Sequence, residues 1–270
     1  MTDFSVHAAL TTPFDAEGDP HVAALQAHVE VLVEDGLDGV VVAGTTGEGP
    51  LLEEAEIETV VAAAVEAAGD RLEVIAHVGR SSTRATVRLA AAAAQAGADA
   101  LIAVTPYYFA LGEQHLLRHY EALLGVATGM PVLAYTFPER TGNELPAEVL
   151  DRLAGEGLAG LKDSTKSPER HREYLEVARR HPQLRVMIGS ESLTLQSLRG
   201  GGAGAISALA NARADVLLRL RDHPSEEAQE EVDAAREQLP DIPLVKRAVS
   251  ERLADRGVHY SPLPRAPLGT

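Results

Sequence analysis

Residues 131–162, PVLAYTFPERTGNELPAEVLDRLAGEGLAGLK, decide how this chain folds. Two short apolar runs, Pro131–Thr136 and Leu158–Lys162, flank the helical stretch Pro146–Ala154. Unbroken apolar runs of this length mark strands buried on both faces, and a helix between two such strands makes the pair parallel. Gly155 stands where the helix has to stop before the next strand begins. The unit repeats in both directions. Further strands are expected at Ser5–Thr11, Asp38–Ala43, Leu72–Val78, Asp99–Val104, Leu184–Gly189 and Ala203–Ser207. Helical patterns lie at Pro20–Glu34, Glu53–Ala68, Ser82–Ala96, Glu113–Ala127, Arg170–Arg180 and Leu193–Arg199. Eight strands alternating with helices is the number that closes a barrel, so the expected fold is α/β, a (β/α)8 TIM barrel, in preference to an open doubly wound sheet.

After Asn211 the strand signal ends, and Ala214–Asp222, Glu226–Gln238 and Val245–Asp255 read as helices. Residues 1–223 are therefore expected to form the barrel and 224–270 a short C-terminal helical cap. Gly200-Gly201-Gly202 reads as a helix-to-strand turn and not as a phosphate loop.

Composition narrows the function. The 270 residues carry 40 acidic against 24 basic side chains, a net charge of -16, which argues against nucleic acid or an anionic membrane as partner. Hydrophobic residues make up 45%, enough for a sizeable core. With no cysteine, the chain has no disulfide, no thiolate metal site and no cysteine nucleophile. No secretory leader or membrane-spanning run is read, so a cytoplasmic protein is expected. Lysine occurs only at 162, 166 and 246, and coding bias or adaptation to salt would both produce such a chain.

In this kind of barrel, chemistry sits where strands end at their C-terminal side. The second strand delivers Gly44-Thr45-Thr46-Gly47-Glu48, the third His77, and the fourth Thr105-Pro106-Tyr107-Tyr108. The fifth delivers Tyr135 and, in the loop beyond, Arg140; the sixth Lys162-Asp163, the seventh Gly189-Ser190-Glu191, the eighth Ile206-Ser207. Lys162 ends a buried strand. Desolvation favours a neutral amine, the form that attacks a carbonyl to make a Schiff base, while the competing reading is an ion pair with Asp163 or Glu48. Lys166 and Lys246 are expected on the solvated surface. Tyr135 suits a proton relay held by a threonine hydroxyl, or a core tyrosine with a backbone partner. The Gly-Thr-Thr-Gly turn could hold a carboxylate, and Arg140 could clamp a second one. His77 is expected to be a satisfied polar residue, and no histidine cluster has metal-ligand spacing.

Together, Thr11-Thr12-Pro13-Phe14, Gly44-Thr45-Thr46-Gly47-Glu48, Thr105-Pro106-Tyr107-Tyr108, Tyr135 with Pro138, and Gly160-Leu161-Lys162-Asp163 form an ordered set. It resembles the dihydrodipicolinate synthase / N-acetylneuraminate lyase family of pyruvate-dependent class I aldolases, from about Val6 to Pro262–Leu268. The resemblance implies that Lys162 forms the Schiff base with pyruvate or a 2-keto acid and that Tyr135 relays protons. It implies that Thr45 and Thr46 bind the pyruvate carboxylate, that Ile206 and Gly189 line the substrate pocket, and that Arg140 binds the carboxylate of aspartate semialdehyde. Tyr108 would complete a triad across a subunit interface in a homotetramer built from tight dimers. No cofactor is implied, since the protonated imine is itself the electron sink.

Departures bear on the substrate. Thr136-Phe137-Pro138 stands where Asn-Val-Pro is common, and Asp163-Ser164 where synthases resemble Glu-Ala. Gly49 replaces a frequent serine, and Glu54 replaces the histidine of lysine-inhibited synthases. The expected reaction is the synthase type on pyruvate and aspartate semialdehyde. A 2-keto-3-deoxygluconate-type aldolase is the alternative, and a catalytically silent keto-acid-binding barrel a remote third.

Overall fold

Strand and helix alternate along the chain in the computed structural model, which describes residues 4–269. The strands are β1 (Ser5–Ala9), β2 (Gly39–Val42), β3 (Glu73–His77), β4 (Ala100–Val104), β5 (Val132–Thr136), β6 (Gly160–Asp163), β7 (Arg185–Ile188) and β8 (Gly204–Ser207). Each pairs in parallel with the next, and β8 returns to β1, so the sheet closes into the eight-stranded barrel expected from the sequence. Between the strands run α1 (Val22–Glu34), α2 (Glu54–Ala68), α3 (Thr83–Gln95), α4 (Glu113–Val126), α5 (Pro138–Thr141), α6 (Ala147–Gly155), α7 (Pro168–Arg180) and α8 (Thr194–Gly200). After β8 come α9 (Ala214–Asp222), α10 (Glu226–Gln238) and α11 (Ile242–Ala254).

The unbroken apolar runs have a direct cause in the packing. One set of side chains, including Ala9, Val41, Ile75, Ile102, Leu133, Met187 and Ile206, fills the barrel interior. The alternate set, such as Val40, Val74, Leu101, Ala134 and Leu161, packs outward against the helices. Neither face meets water, so neither can be polar. Gly39 leaves room for an interior polar group: a Cβ there would lie 2.3 Å from Cδ2 of His7. His7 Nε2 lies 2.8 Å from Oε2 of Glu73, whose carboxylate also takes both Arg185 nitrogens at 3.1 and 2.9 Å.

Several element ends differ from the sequence reading by a residue or two, and at three places a proline explains the difference. Helix α7 starts at Pro168, two residues before Arg170, because Ser167 caps it by accepting from the Arg170 N–H at 3.1 Å and proline is well suited to a first turn. Helix α11 starts at Ile242, with Asp241 accepting from the Leu244 N–H at 3.0 Å and Pro243 in its first turn. The short α5 was not anticipated; it begins with Pro138 and ends at Gly142, where φ is 75°. The glycine triplet is the expected turn, with Gly201 in the left-handed region after α8.

Helix α11 is tied to α1 by the Arg252–Asp35 pair, two contacts of 2.9 Å, above a small apolar cluster of Val31, Val249 and Leu253. The chain then crosses back to the mouth of the barrel, where Ser261 makes a β-bridge with Phe14. Among the described residues, no helix is long and apolar enough to cross a membrane.

Candidate active site

A cleft of about 880 Å³ opens at the C-terminal ends of the strands. Its floor is set by the register of β5 and β6, which places Tyr135 directly beside Lys162. Both side chains point inward, and both are almost fully buried. The Lys162 amine lies 4.5 Å from the centroid of the Tyr135 ring. Neither carboxylate considered from the sequence pairs with it. Asp163 points the other way, accepting from His171 Nδ1 at 2.9 Å and from the Thr165 hydroxyl at 2.7 Å. Glu48 is engaged by Lys246. Room for Lys162 is kept by Gly189, where a Cβ would lie 3.0 Å from its Cε and 2.3 Å from the Ser164 hydroxyl.

The turn after β2 brings two hydroxyls to this floor. Ala43 (φ 56°) and Glu48 (φ 59°) bracket it in the left-handed region, which reverses the chain within a few residues. Inside the turn, Gly49 N–H donates to Gly44 O at 2.9 Å, Glu48 N–H to Thr45 O at 3.1 Å, and the Thr12 hydroxyl to Gly47 O at 2.7 Å. Glycine is obligatory at 49, where a Cβ would fall 1.8 Å from the Ala43 carbonyl oxygen. The result sets the Thr45 hydroxyl 3.4 Å from that of Tyr135, with Thr46 beside it on the cleft wall. Ile206 and Ala9 close the base.

Phe137 packs on Tyr135 at 6.0 Å between centroids, and the Arg140 guanidinium lies 5.9 Å from the Phe137 centroid. Arg140 stands at the exposed rim, and among the described residues no acidic side chain pairs with it. Lys166 is at the same rim, paired with Glu139 at 2.7 Å, and is solvated as expected. Cleft-lining residues that the sequence reading did not single out include Ser192, Arg236 of α10 and Leu268 of the tail. Among the described residues, no group of three or more His, Cys, Asp or Glu is placed to hold a metal ion.

Two expectations are corrected. Lys246 is not on the surface: it is wholly buried, 2.6 Å from Glu48, because it lies on the same face of α11 as Val249 and Leu253. Spacing of three and seven residues from those two was the signal. His77 is not fully satisfied. Its Nε2 accepts from the Val104 N–H at 3.3 Å, but its Nδ1 is buried without a partner. Burial, reinforced by the charges of Arg80 and Lys162, lowers its pKa to about 3, so it stands as a neutral ring edge-on to Tyr135 at 6.1 Å.

Tyr108 lies apart from the cleft. It is 87% exposed, has φ 82°, and stacks edge-on with the exposed Phe109 at 5.0 Å. Asn143 holds this loop, donating to the carbonyls of Pro106 and Phe109 at 2.8 Å each. Thus the structure brings Lys162, Tyr135, Thr45, Thr46, Arg140, Gly189 and Ile206 to one cleft and leaves Tyr108 outside it.

Comparison with known proteins bears on the chain as a whole. The sequence profile of the Dihydrodipicolinate synthetase family matches residues 4–270. An uncharacterized DapA-like lyase of Halobacterium salinarum is 37% identical over 94% of this chain and 86% of its own length. The 4-hydroxy-tetrahydrodipicolinate synthase of Synechocystis is 34% identical over 89% of this chain and 79% of its own. Among solved structures, YagE, an E. coli K12 prophage protein of the dihydrodipicolinic acid synthase family crystallised with pyruvate, superposes with a TM-score of 0.87. That likeness covers 98% of this chain and 92% of YagE at 26% identity.

Proposed function

This chain belongs to the dihydrodipicolinate synthetase family of lyases, and from that premise we propose that it condenses pyruvate with aspartate semialdehyde through a Schiff base on Lys162. The observation that carries the reading is the Lys162 amine, free of any carboxylate partner among the described residues, held against a tyrosine whose hydroxyl meets Thr45.

The steps follow from the groups present. Once the Lys162 amine has given up its proton it attacks the keto carbon of pyruvate, and the carbinolamine loses water to give an iminium. Tyr135 moves the protons this requires, returning them along its contact with the Thr45 hydroxyl. Thr45 and Thr46 hold the pyruvate carboxylate with hydroxyl and backbone N–H groups. The iminium draws the electron pair of a methyl C–H bond, and the resulting enamine adds to the aldehyde carbon. Addition leaves the iminium in place while the former aldehyde oxygen takes a proton. Attack of water, or of the product's own amine, on the iminium carbon then breaks its bond to Nζ and returns the free lysine. Arg140, unpaired at the rim, takes the carboxylate of the semialdehyde. Ile206 shapes the base of the pocket, and Gly189 leaves Lys162 its space.

The exposed Tyr108–Phe109 pair supports assembly as a homotetramer in which Tyr108 reaches the site of a neighbouring copy. One observation favours a second substrate class. Ser164, Ser190 and Ser192 line the cleft between Lys162 and the rim, and such hydroxyls suit a 2-keto-3-deoxy sugar acid.

Borohydride reduction with and without pyruvate, followed by peptide mapping, tests the mechanism. A pyruvate-dependent adduct on Lys162 is expected. A folded protein with no adduct on any lysine would leave the silent keto-acid-binding barrel as the better account.

A further inference from the structure

The turn that carries Thr45 and Thr46 is gripped from outside the barrel by the last part of the chain. Glu48, two positions beyond Thr46, is buried and has left-handed backbone, a conformation that an ordinary residue adopts only under strain. Its Oε1 lies 2.6 Å from the Lys246 amine on α11, and its Oε2 accepts from the Arg265 backbone N–H at 2.7 Å. Lys246 also donates to the Leu263 carbonyl at 3.2 Å and lies 4.3 Å from the centroid of Phe14. Arg265 approaches the same ring to 4.7 Å, pairs with Glu56 of α2, and donates to the carbonyls of Gly18 and Leu51.

A buried ion pair is weak evidence for stability, since an apolar pair of equal volume would often serve as well. What it does provide is a fixed position. On its inner side the turn is already held, Gly49 against the backbone of Ala43 and Gly44, and Gly47 against the Leu10 carbonyl and the Thr12 hydroxyl. Its remaining freedom is outward, and outward is the direction that Glu48, Lys246 and Arg265 close. The same segment of chain supplies Val245 and Leu268 to the cleft wall, so the grip and the cleft are built from one piece.

We propose that Glu48, Lys246 and Arg265 are positioning residues through which the C-terminal tail sets the Thr45–Thr46 turn, and with it the affinity of the cleft for a 2-keto acid carboxylate. This rests on the carboxylate-binding role proposed above for that turn. None of the three lines the cleft; they act through Thr45 and Thr46.

The test uses pyruvate alone and needs no aldehyde. Adduct on Lys162 is trapped by borohydride across a pyruvate titration, giving a half-saturating concentration and a plateau. The variants are Glu48→Gln/Lys246→Met, which removes both charges together, and Arg265→Ala, which loosens the tail but leaves the pair intact. Arg252→Ala is the control, since it breaks the Asp35 pair of the same helix away from the turn. Half-saturation is expected to rise about tenfold in the double variant and several-fold in Arg265→Ala, as small misplacements of a binding group do. The plateau and the modified residue stay the same, and Arg252→Ala melts earlier yet titrates like wild type. Unchanged half-saturation in either folded variant overturns the proposal, and if the double variant does not fold, Arg265→Ala decides alone. A wild-type protein that gives no adduct overturns the Schiff-base reading first and this inference with it, a result distinct from normal trapping in all variants.

Discussion

The Lys162 amine stands 4.5 Å from the centre of the Tyr135 ring because β5 and β6 pair these two residues in register. The ring is thus a wall for the amine, and the hydroxyl at its far end is the part that reaches Thr45. The two roles separate in one substitution. Tyr135→Phe keeps the wall and removes the hydroxyl. Turnover is expected to fall by about 10²–10⁴, the usual share of a positioned proton donor, with melting temperature nearly unchanged. Steady-state kinetics beside a thermal melt check this, and wild-type turnover in the variant would remove Tyr135 as relay.

Gly189 makes a sharper steric prediction. Adding one methyl places it 2.3 Å from the Ser164 hydroxyl and 3.0 Å from Cε of Lys162. Ser164 can rotate away, but the lysine stem has to give way as well. Gly189→Ala/Ser164→Ala relieves the first clash only. At least a tenfold loss in the rate of pyruvate adduct formation is expected in both variants, with a native circular dichroism spectrum. Recovery in the double variant would show that Ser164, and not the lysine, suffers from the crowding.

Arg140 separates the two substrate classes. A charge-assisted bond to a substrate carboxylate is worth about 1.5–3 kcal/mol, or roughly 10- to 150-fold. Arg140→Ala is therefore expected to raise KM for aspartate semialdehyde by that factor and leave KM for pyruvate within about twofold. Synthase activity that survives the change undiminished removes the clamp and favours a hydroxylated aldehyde held by the serines at 164, 190 and 192.

Acid sensitivity follows from three enclosed histidines. Burial lowers His28 and His119 to about 4 and His77 to about 3, against an ordinary value of 6.5. Below 6.5 the unfolded chain takes up protons that the folded chain refuses until near 4. The stability these rings contribute is therefore present above 6.5 and lost as pH falls toward 4. Each contributes a slope of about 1.4 kcal/mol per pH unit in that window. Melts at pH 7.5, 6 and 5 should show a steepening fall. His28→Gln, which can still donate to Asn211, should flatten that fall by roughly a third if the three act alike; an unchanged slope would exclude His28 as a contributor.

Most of the barrel was legible because burial on both faces leaves no choice but unbroken apolar runs. Lys162 was legible because it closes such a run on the inward-facing side of the strand, whereas the adjacent Asp163, one position on, alternates to the outer face and pairs with His171. What escaped was whatever depends on a distant partner. The Lys246–Glu48 pair joins residues 198 positions apart, and a lone lysine on a helix is ordinarily solvated. Its alignment with Val249 and Leu253 was visible, but its counter-ion was not. Likewise, the unpartnered Nδ1 of His77 depends on three-dimensional neighbours that no spacing encodes. Proline hid the starts of α7 and α11 because it serves equally as a breaker and as a first-turn residue.

The grip on Glu48 also bears on the order in which the chain acquires its parts during synthesis. All eight strands have been made once Ser207 emerges, and the barrel can then close around its apolar interior. At that moment Glu48 has no counter-ion, because Lys246 and Arg265 are still to be translated. A barrel closed at that point would hold Lys162 and Tyr135 in register before the outer support of the turn exists. The grip is therefore completed some sixty codons after the last strand, from Ser207 to Arg265, and a ribosome stalled in that interval would carry all eight strands and a turn still without its outer support.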